Sequence, residues 1–414
     1  MMLSQSAISM APPFSLVSKF FVAASVLLLV SLNALPFVAT QTPLLAFGAA
    51  GFIHLYLLGF VMMVILGALY QLVPVVLEAP FFTLKGSSVL FYAYLLGTLA
   101  LSGGMVLGNN PLMHAGGTAV YASLTAFSVL FLLSFKGVTR WNLITYFLLA
   151  SGVCLVLGIS LGLGLLIAMS TGGIALDVTA TLIRHGVLSL GGFVMFIVMG
   201  VSLVLLPMFA LAHGVSTWYS KVAFGAMLLA FGCAFINAFA LMAWLLGLGL
   251  VLYVAQSAHI LAKRMRRKKD YWFYNVAFAL ACIVVAVALG LWGFLGGDEN
   301  ALKVAMFVFL VGFGLHFVAG HLYKILPFLV WYEFIAPLVG KQKVPMLHEM
   351  IQERYAYAQL LLGALGTVLF ALGMALHVRV VELGGAVLLA LSGWALMVVL
   401  YRAYGFSTWK EKTC

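Results

Sequence analysis

The sequence predicts an all-α, polytopic membrane protein with about twelve transmembrane helices in three pseudo-repeats of four. Three observations predict it. Of the 414 residues, 65% are hydrophobic and only 7% charged, whereas soluble globular domains carry about 25% charged residues. Apolar runs recur along the whole chain, each near the roughly 20 residues that a helix needs to cross the hydrocarbon of a bilayer. Finally, one helix ending occurs three times: Gly67-Ala-Leu-Tyr-Gln-Leu-Val-Pro74, Gly200-Val-Ser-Leu-Val-Leu-Leu-Pro207 and Gly320-His-Leu-Tyr-Lys-Ile-Leu-Pro327. Each sets Gly seven residues before Pro at the tail of a long apolar segment.

Taken in order, the expected spans are 14–36, 45–77, 87–107, 112–135, 142–168, 178–212, 217–237, 239–262, 272–296, 303–335, 355–376 and 380–403. They leave no room for a soluble domain, so the chain reads as one transmembrane domain over 1–414. The repeated ending falls on the second, sixth and tenth spans. Four spans separate one copy from the next, and an even number restores orientation, so the repeats are parallel, at about 1–135, 136–262 and 263–414. The first apolar run, Phe14 to Leu35, is long and has no clear small-residue cleavage site, so it reads as a span and not as a signal peptide. Cys154, Cys233, Cys282 and Cys414 form no Cys-x-x-Cys and suggest small packing residues, not a disulfide framework or a thiolate metal site.

The net charge of +11 does not point to nucleic acid, because the basic residues sit in short loops between apolar spans, as the positive-inside rule produces. With twelve spans starting inside, Lys85, Lys136, Arg140, Lys221, the run Lys263 to Lys269, Lys341, Lys343, Arg354, Lys410 and Lys412 share one side. Arg184, Lys303 and Arg379 fall on the other. Both termini are therefore expected in the cytoplasm and the lipid bilayer is the principal partner. The Lys263 to Lys269 run is a topology determinant, with anionic-lipid binding as its alternative reading.

The repeat also gauges depth. Arg184 lies 23 residues before Pro207 and Lys303 lies 24 before Pro327, both marking the outer water boundary. Lys324 and the equivalent Gln71 suit the inner interface, where a long basic chain can snorkel. Tyr70 and Tyr323 read as interfacial anchors. Gly59, Gly67, Gly191, Gly192, Gly200, Gly312, Gly314 and Gly320 give these helices flat patches, suited to close helix packing or to a flat macrocycle.

Nine histidines can be sorted on this gauge. His213, His259, His348 and His377 fall at span ends or in loops. His54 lies 20 residues before Pro74 and His185 lies 22 before Pro207, so both occupy the outer third at nearly one level. Two imidazoles facing each other at one level can ligate a haem iron or a transition metal, and His114, opening the fourth span on the outer side, is a candidate third member. His316 and His321 lie deeper, by about 13 Å for His316 relative to His54. Being five residues apart on an α-helix, they point to different faces. A membrane histidine is otherwise a hydrogen-bonding group between helices.

A histidine early in the second span, Gly67, Tyr70 and the Leu72-Val-Pro74 ending, within twelve spans in three sets, resemble subunit I of the haem-copper oxidases and nitric-oxide reductases. The resemblance covers nearly the whole chain in topology and the second, sixth and tenth spans in motif. It implies haem b and copper as cofactors, a bacterial inner (cytoplasmic) membrane location, and a redox partner or other respiratory subunits. Several family features are missing. The tenth span has Ala305-Met-Phe307 where the family has His-x-His, the seventh has no histidine between Trp218 and Asn237, and His185 begins His185-Gly-Val-Leu-Ser189 instead of His-Pro-Glu-Val-Tyr. An oxygen-reducing proton pump is therefore not expected. The stretch from His54 to Pro74 is also similar to the NnrS family of haem- and copper-containing membrane proteins, whose Trp-His-Ala-His-Glu-Met signature is lacking here.

The first functional expectation is thus an integral membrane haem- or copper-binding protein in electron transfer or nitric-oxide and respiratory metabolism. Its cofactor ligands would come from His54, His185 and His316, and its metal ligands from His54, His185, His114 and His321. The alternatives are a transporter or assembly factor for a metal, haem or small solute, and a non-catalytic subunit of a respiratory complex. No acid–base pair, nucleophile or phosphate loop lies within the spans, so no catalytic residue is assigned. Were it an enzyme, it would be a divergent haem-dependent oxidoreductase.

Overall fold

The structure, a computed structural model, describes residues 10, 12–38, 40–41, 43 and 46–409. Lys410, Lys412 and Cys414 lie outside them. Among the described residues, twelve helices are long and apolar enough to cross a membrane, and no strand is present. They are α1 (Phe14–Phe37), α2 (Phe47–Val76), α3 (Ser87–Leu107), α4 (Asn110–Gly137), α5 (Leu143–Thr171), α6 (Val178–Ala210), α7 (Trp218–Phe235), α8 (Phe239–Ala262), α9 (Tyr271–Gly296), α10 (Glu299–Leu338), α11 (Glu353–Leu376) and α12 (Arg379–Thr408). The protein is an all-α, multi-pass membrane protein.

Side chains at the loop ends start several of these helices. Asn109, Asn142, Asp177 and Asp298 each accept a hydrogen bond from the backbone N–H three residues on, at 3.0 Å, which satisfies one of the donors a helix leaves open at its N-terminus.

The chain divides into two compact units, Met1–Ala24 with Ala39–Arg266 and Ser25–Val38 with Arg267–Cys414. The first contains α2 to α8 and the second α9 to α12; α1 contributes to both. The boundary falls in the basic loop where the third repeat begins. In the first unit α3 pairs extensively with α4 and α7 with α8, and in the second α11 pairs with α12. These are the third and fourth spans of each repeat. All three hairpins turn on a residue in the left-handed region, Gly108, Asn237 and His377.

The repeated glycines bring the second span of a repeat against its first. A β-carbon at Gly67 would stand 2.7 Å from Phe20 Cβ, and one at Gly200 would stand 2.9 Å from Phe147 Cβ. Neither neighbour can swing away at its own β-carbon, so only glycine permits the approach. Seven residues beyond Phe147, Cys154 lies against Gly192; in the second unit Cys282 lies against Gly312. Both are free, buried thiols in packed helix contacts.

Three details went unread in the sequence or differ from its reading. Each repeated helix carries a π-helical turn at a similar level: Leu57–Met62, Val187–Val194 and Val308–Phe313. Such turns widen a helix and re-aim its side chains. Tyr70 and Tyr323 are not interfacial anchors, since each is 1% exposed. Tyr70 packs among Phe20, Phe81 and Phe127, and the Tyr323 hydroxyl donates to Gln359 Oε1 at 3.1 Å. Nor does Lys324 extend only to water: its Nζ lies 2.7 Å from Asp270 Oδ2, the two side chains being 15% and 5% exposed.

Candidate functional site: a histidine pair between two repeats

The first unit brings together His54 of α2 and His185 of α6. Their rings are nearly parallel, 12° between planes, with centroids 6.4 Å apart. Stacked rings touch at about 3.5–4 Å, so these two rings, parallel but 6.4 Å apart, are not in stacking contact.

Each ring is oriented by its Nδ1. His54 Nδ1 lies 2.7 Å from Ala50 O, and His185 Nδ1 lies 2.8 Å from Gly158 O on α5. A carbonyl oxygen only accepts, so both Nδ1 atoms carry the proton and both Nε2 atoms present a lone pair. This carbonyl-anchored tautomer is the usual support of a metal-ligating histidine. Among the described residues neither Nε2 has a hydrogen-bond partner. Gly158 is required by the contact, because a β-carbon there would stand 2.6 Å from Ser189 Oγ; at Gly162, one would stand 2.7 Å from His185 Cε1.

The helices are loosely packed at exactly this level of two repeats. Leu182 to Val187, more than a full turn of α6, are all half-buried, as are Phe52 to Leu55 on α2. Six consecutive residues cover every side of a helix with 3.6 residues per turn, so the partial exposure at this level, next to the outer water boundary that Arg184 marks, is not confined to one face. A β-carbon at Gly186, next to His185, would meet nothing within 4 Å. One turn deeper both helices close up: Gly59 to Leu66 and Gly192 to Ile197 are buried throughout. The corresponding level of the third repeat is more closely packed, with Val304, Ala305 and Phe307 buried among half-buried Leu302, Lys303 and Met306.

The remaining predicted ligands are apart from this pair. His114 Nε2 lies 2.7 Å from Ser170 Oγ, and that hydroxyl also lies 2.6 Å from Leu166 O. Its single hydrogen goes to the carbonyl, so His114 donates from Nε2 and has no lone pair there for a metal. In the second unit His316 is wholly buried, with Nδ1 2.9 Å from Gly312 O and its ring 4.5 Å from that of Phe278. His321 Nδ1 lies 2.7 Å from Phe317 O, with its ring against Phe317. Among the described residues no three of His, Cys, Asp and Glu converge on a point that would hold a metal ion.

Of the residues around the pair, the Ala50 partner was legible, being one α-helical turn before His54. Gly158 and Gly162 on α5 were not, since nothing in the sequence pairs α5 with His185. The glycines inside the π-helical turns were the one available sign that these helices depart from regular geometry.

Fold and site define a multi-pass helical membrane protein with an opposed histidine pair between two of its repeats. The chain matches no protein-family profile, and no curated protein sequence matches it.

Proposed function

We propose that this protein is an intramembrane b-type haem protein that transfers electrons, with His54 and His185 as the two axial ligands. The observation that carries the reading is the 6.4 Å separation of nearly parallel rings. An imidazole bound through Nε2 places its centroid about 3 Å from the metal, roughly 2 Å of bond and 1 Å to the ring centre. Ligands on opposite sides of one iron therefore have centroids about 6 Å apart. The lone pair on each Nε2 and the loosened packing around both rings agree with this fit. A two-coordinate copper(I) ion would suit the nitrogens, but it needs no such space, so the packing favours the larger group.

If a haem were bound, His54 and His185 would hold its iron and it would supply one-electron transfer. Ala50 and Gly158 hold the ligand rings in one tautomer, and the apolar side chains of α2, α5 and α6 keep bulk water away. The reading retains the resemblance to haem-copper oxidase subunit I in topology, but takes the second ligand from α6 and not from α10. It favours electron transfer over nitric-oxide or oxygen chemistry at this centre, within a bacterial inner membrane and with both termini cytoplasmic.

The deciding measurement is the absorption spectrum of the purified protein with metal analysis. One haem per chain and the sharp Soret and α bands of a six-coordinate low-spin centre are expected. Absence of a Soret band overturns the reading, and stoichiometric copper without haem replaces it with the copper site.

A further inference from the structure

The fold divides the basic run at 263–269. Lys268 pairs with Glu353 at 2.7 Å, Lys269 lies over the Phe273 ring at 5.5 Å, and both belong to the second unit. Lys263, Arg264 and Arg266 belong to the first, at the end of α8. The first unit is short of acidic residues, for Glu78 and Asp177 are the only two in 1–266. Asp177 caps α6 at its opposite end.

Side chains of α8 hold the loop between α6 and α7 as a fixed frame for these cations. Gln256 Nε2 donates to Ser216 O at 2.8 Å, and Gln256 Oε1 accepts from Ser220 N at 3.3 Å. The rings of Tyr219 and His259 meet edge-on with centroids 6.2 Å apart. Lys263 Nζ donates to Gly214 O, and Arg266 N donates to Ala210 O at 3.3 Å. Gln256, His259 and Lys263 recur every three or four residues, so they share the face of α8 on which the loop is folded. An ammonium has three donors, of which the Gly214 carbonyl takes one from Lys263. Lys221, exposed, stands about one turn along α7 from Trp218.

The patch stands at the membrane boundary. The apolar span α8 ends at Ala262 and the span α7 begins at Trp218, so Lys221 and Lys263 flank the level where hydrocarbon gives way to headgroups. Apolar side chains are exposed among the cations: Trp218 by 60% and Met265 by 69%. A soluble anion gains nothing from an exposed indole and thioether. A phospholipid offers a phosphate to the ammonium groups and acyl chains to the apolar side chains.

We propose that the end of α8 and the start of α7 form a binding site for one anionic phospholipid, with Lys221 and Lys263 on its phosphate and Trp218 and Met265 against its apolar part. Arg264 and Arg266 add to the positive potential that draws the headgroup in. The site differs from the diffuse attraction of any basic loop because its frame is already ordered, so little further freedom is lost on binding. It lies at the opposite end of α6 from His185 and does not depend on a haem being bound.

Native mass spectrometry of the full-length protein in detergent, titrated with phosphatidylglycerol or with phosphatidylcholine of the same acyl chains, tests it. The first phosphatidylglycerol is expected to bind about tenfold more tightly than phosphatidylcholine, or better. Lys221→Gln and Lys263→Gln are each expected to weaken it about fivefold. Lys136→Gln, which removes the same charge elsewhere on the same membrane face, is expected to leave it unchanged. Lys221 is exposed, so its variant decides the matter if Lys263→Gln misfolds. Equal affinity for the two lipids overturns the proposal, as does undiminished binding in the folded Lys221 variant. An equal loss in the Lys136 variant also overturns it, since the attraction would then be diffuse. Displacement of the first lipid by millimolar inorganic phosphate overturns it as well, because the site would then serve a soluble anion.

Discussion

His54 and His185 stand with parallel rings 6.4 Å apart, each with Nδ1 fixed on a backbone carbonyl and Nε2 unpartnered. The pair comes from equivalent helices of two repeats, and its geometry makes the functional reading open to direct test.

If both imidazoles bind one iron, the reduced protein should not bind carbon monoxide, because no coordination position is free. Replacing His54 or His185 by Ala should open one. The expected result is a carbon-monoxide difference spectrum in each variant and none in the unaltered protein. A carbon-monoxide spectrum of equal size in all three would exclude paired ligation.

His114→Ala should leave the haem content unchanged, because His114 is engaged by Ser170 and not by the pair. The cost should appear in stability alone, at about 0.6–1 kcal/mol for one hydrogen bond between helices. Pigment and unfolding midpoint measured on the same sample separate the two effects.

Gly162→Ala would set a β-carbon 2.7 Å from His185 Cε1 and force the ring to tilt. Disturbing the support of a metal ligand costs about 10–100-fold in affinity. Haem titration of the apoprotein should show that loss, with helicity by circular dichroism unchanged.

The Lys324–Asp270 pair is nearly buried, so removing one partner strands the other. Lys324→Met alone should destabilise by about 3–5 kcal/mol, and Lys324→Met with Asp270→Asn by much less. Asn retains the capping oxygen that Asp270 offers to Phe273, so the double-mutant cycle isolates the charge. Unfolding in detergent measures it, and additive effects would mean that the two charges are not coupled.

Gly67→Ala and Gly200→Ala meet the same obstacle in two repeats, a neighbouring Phe Cβ under 3 Å away. Both should destabilise the protein by about 1–3 kcal/mol. A neutral result at either position would show that the helices separate at little cost.

The sequence by itself determined the class, the span positions and the level of the histidines. Those features follow from one-dimensional quantities: apolar length against bilayer thickness, and distance along a helix from a repeated proline. The offsets of 20 and 22 residues were enough to put His54 and His185 at one depth. Only the tertiary structure decided what faces what at that depth. Tyr70 and Tyr323 have the composition of interfacial anchors but lie inside packed bundles, and Lys324 found Asp270, 54 residues away. The histidine pair also depends on rotation about the helix axis, which the π-helical turns alter and residue spacing does not record. Each residue of an α-helix turns the side chain by about 100°. A level can thus be read from a sequence when a direction cannot, and in the bilayer it is the direction that separates a packing histidine from a ligand.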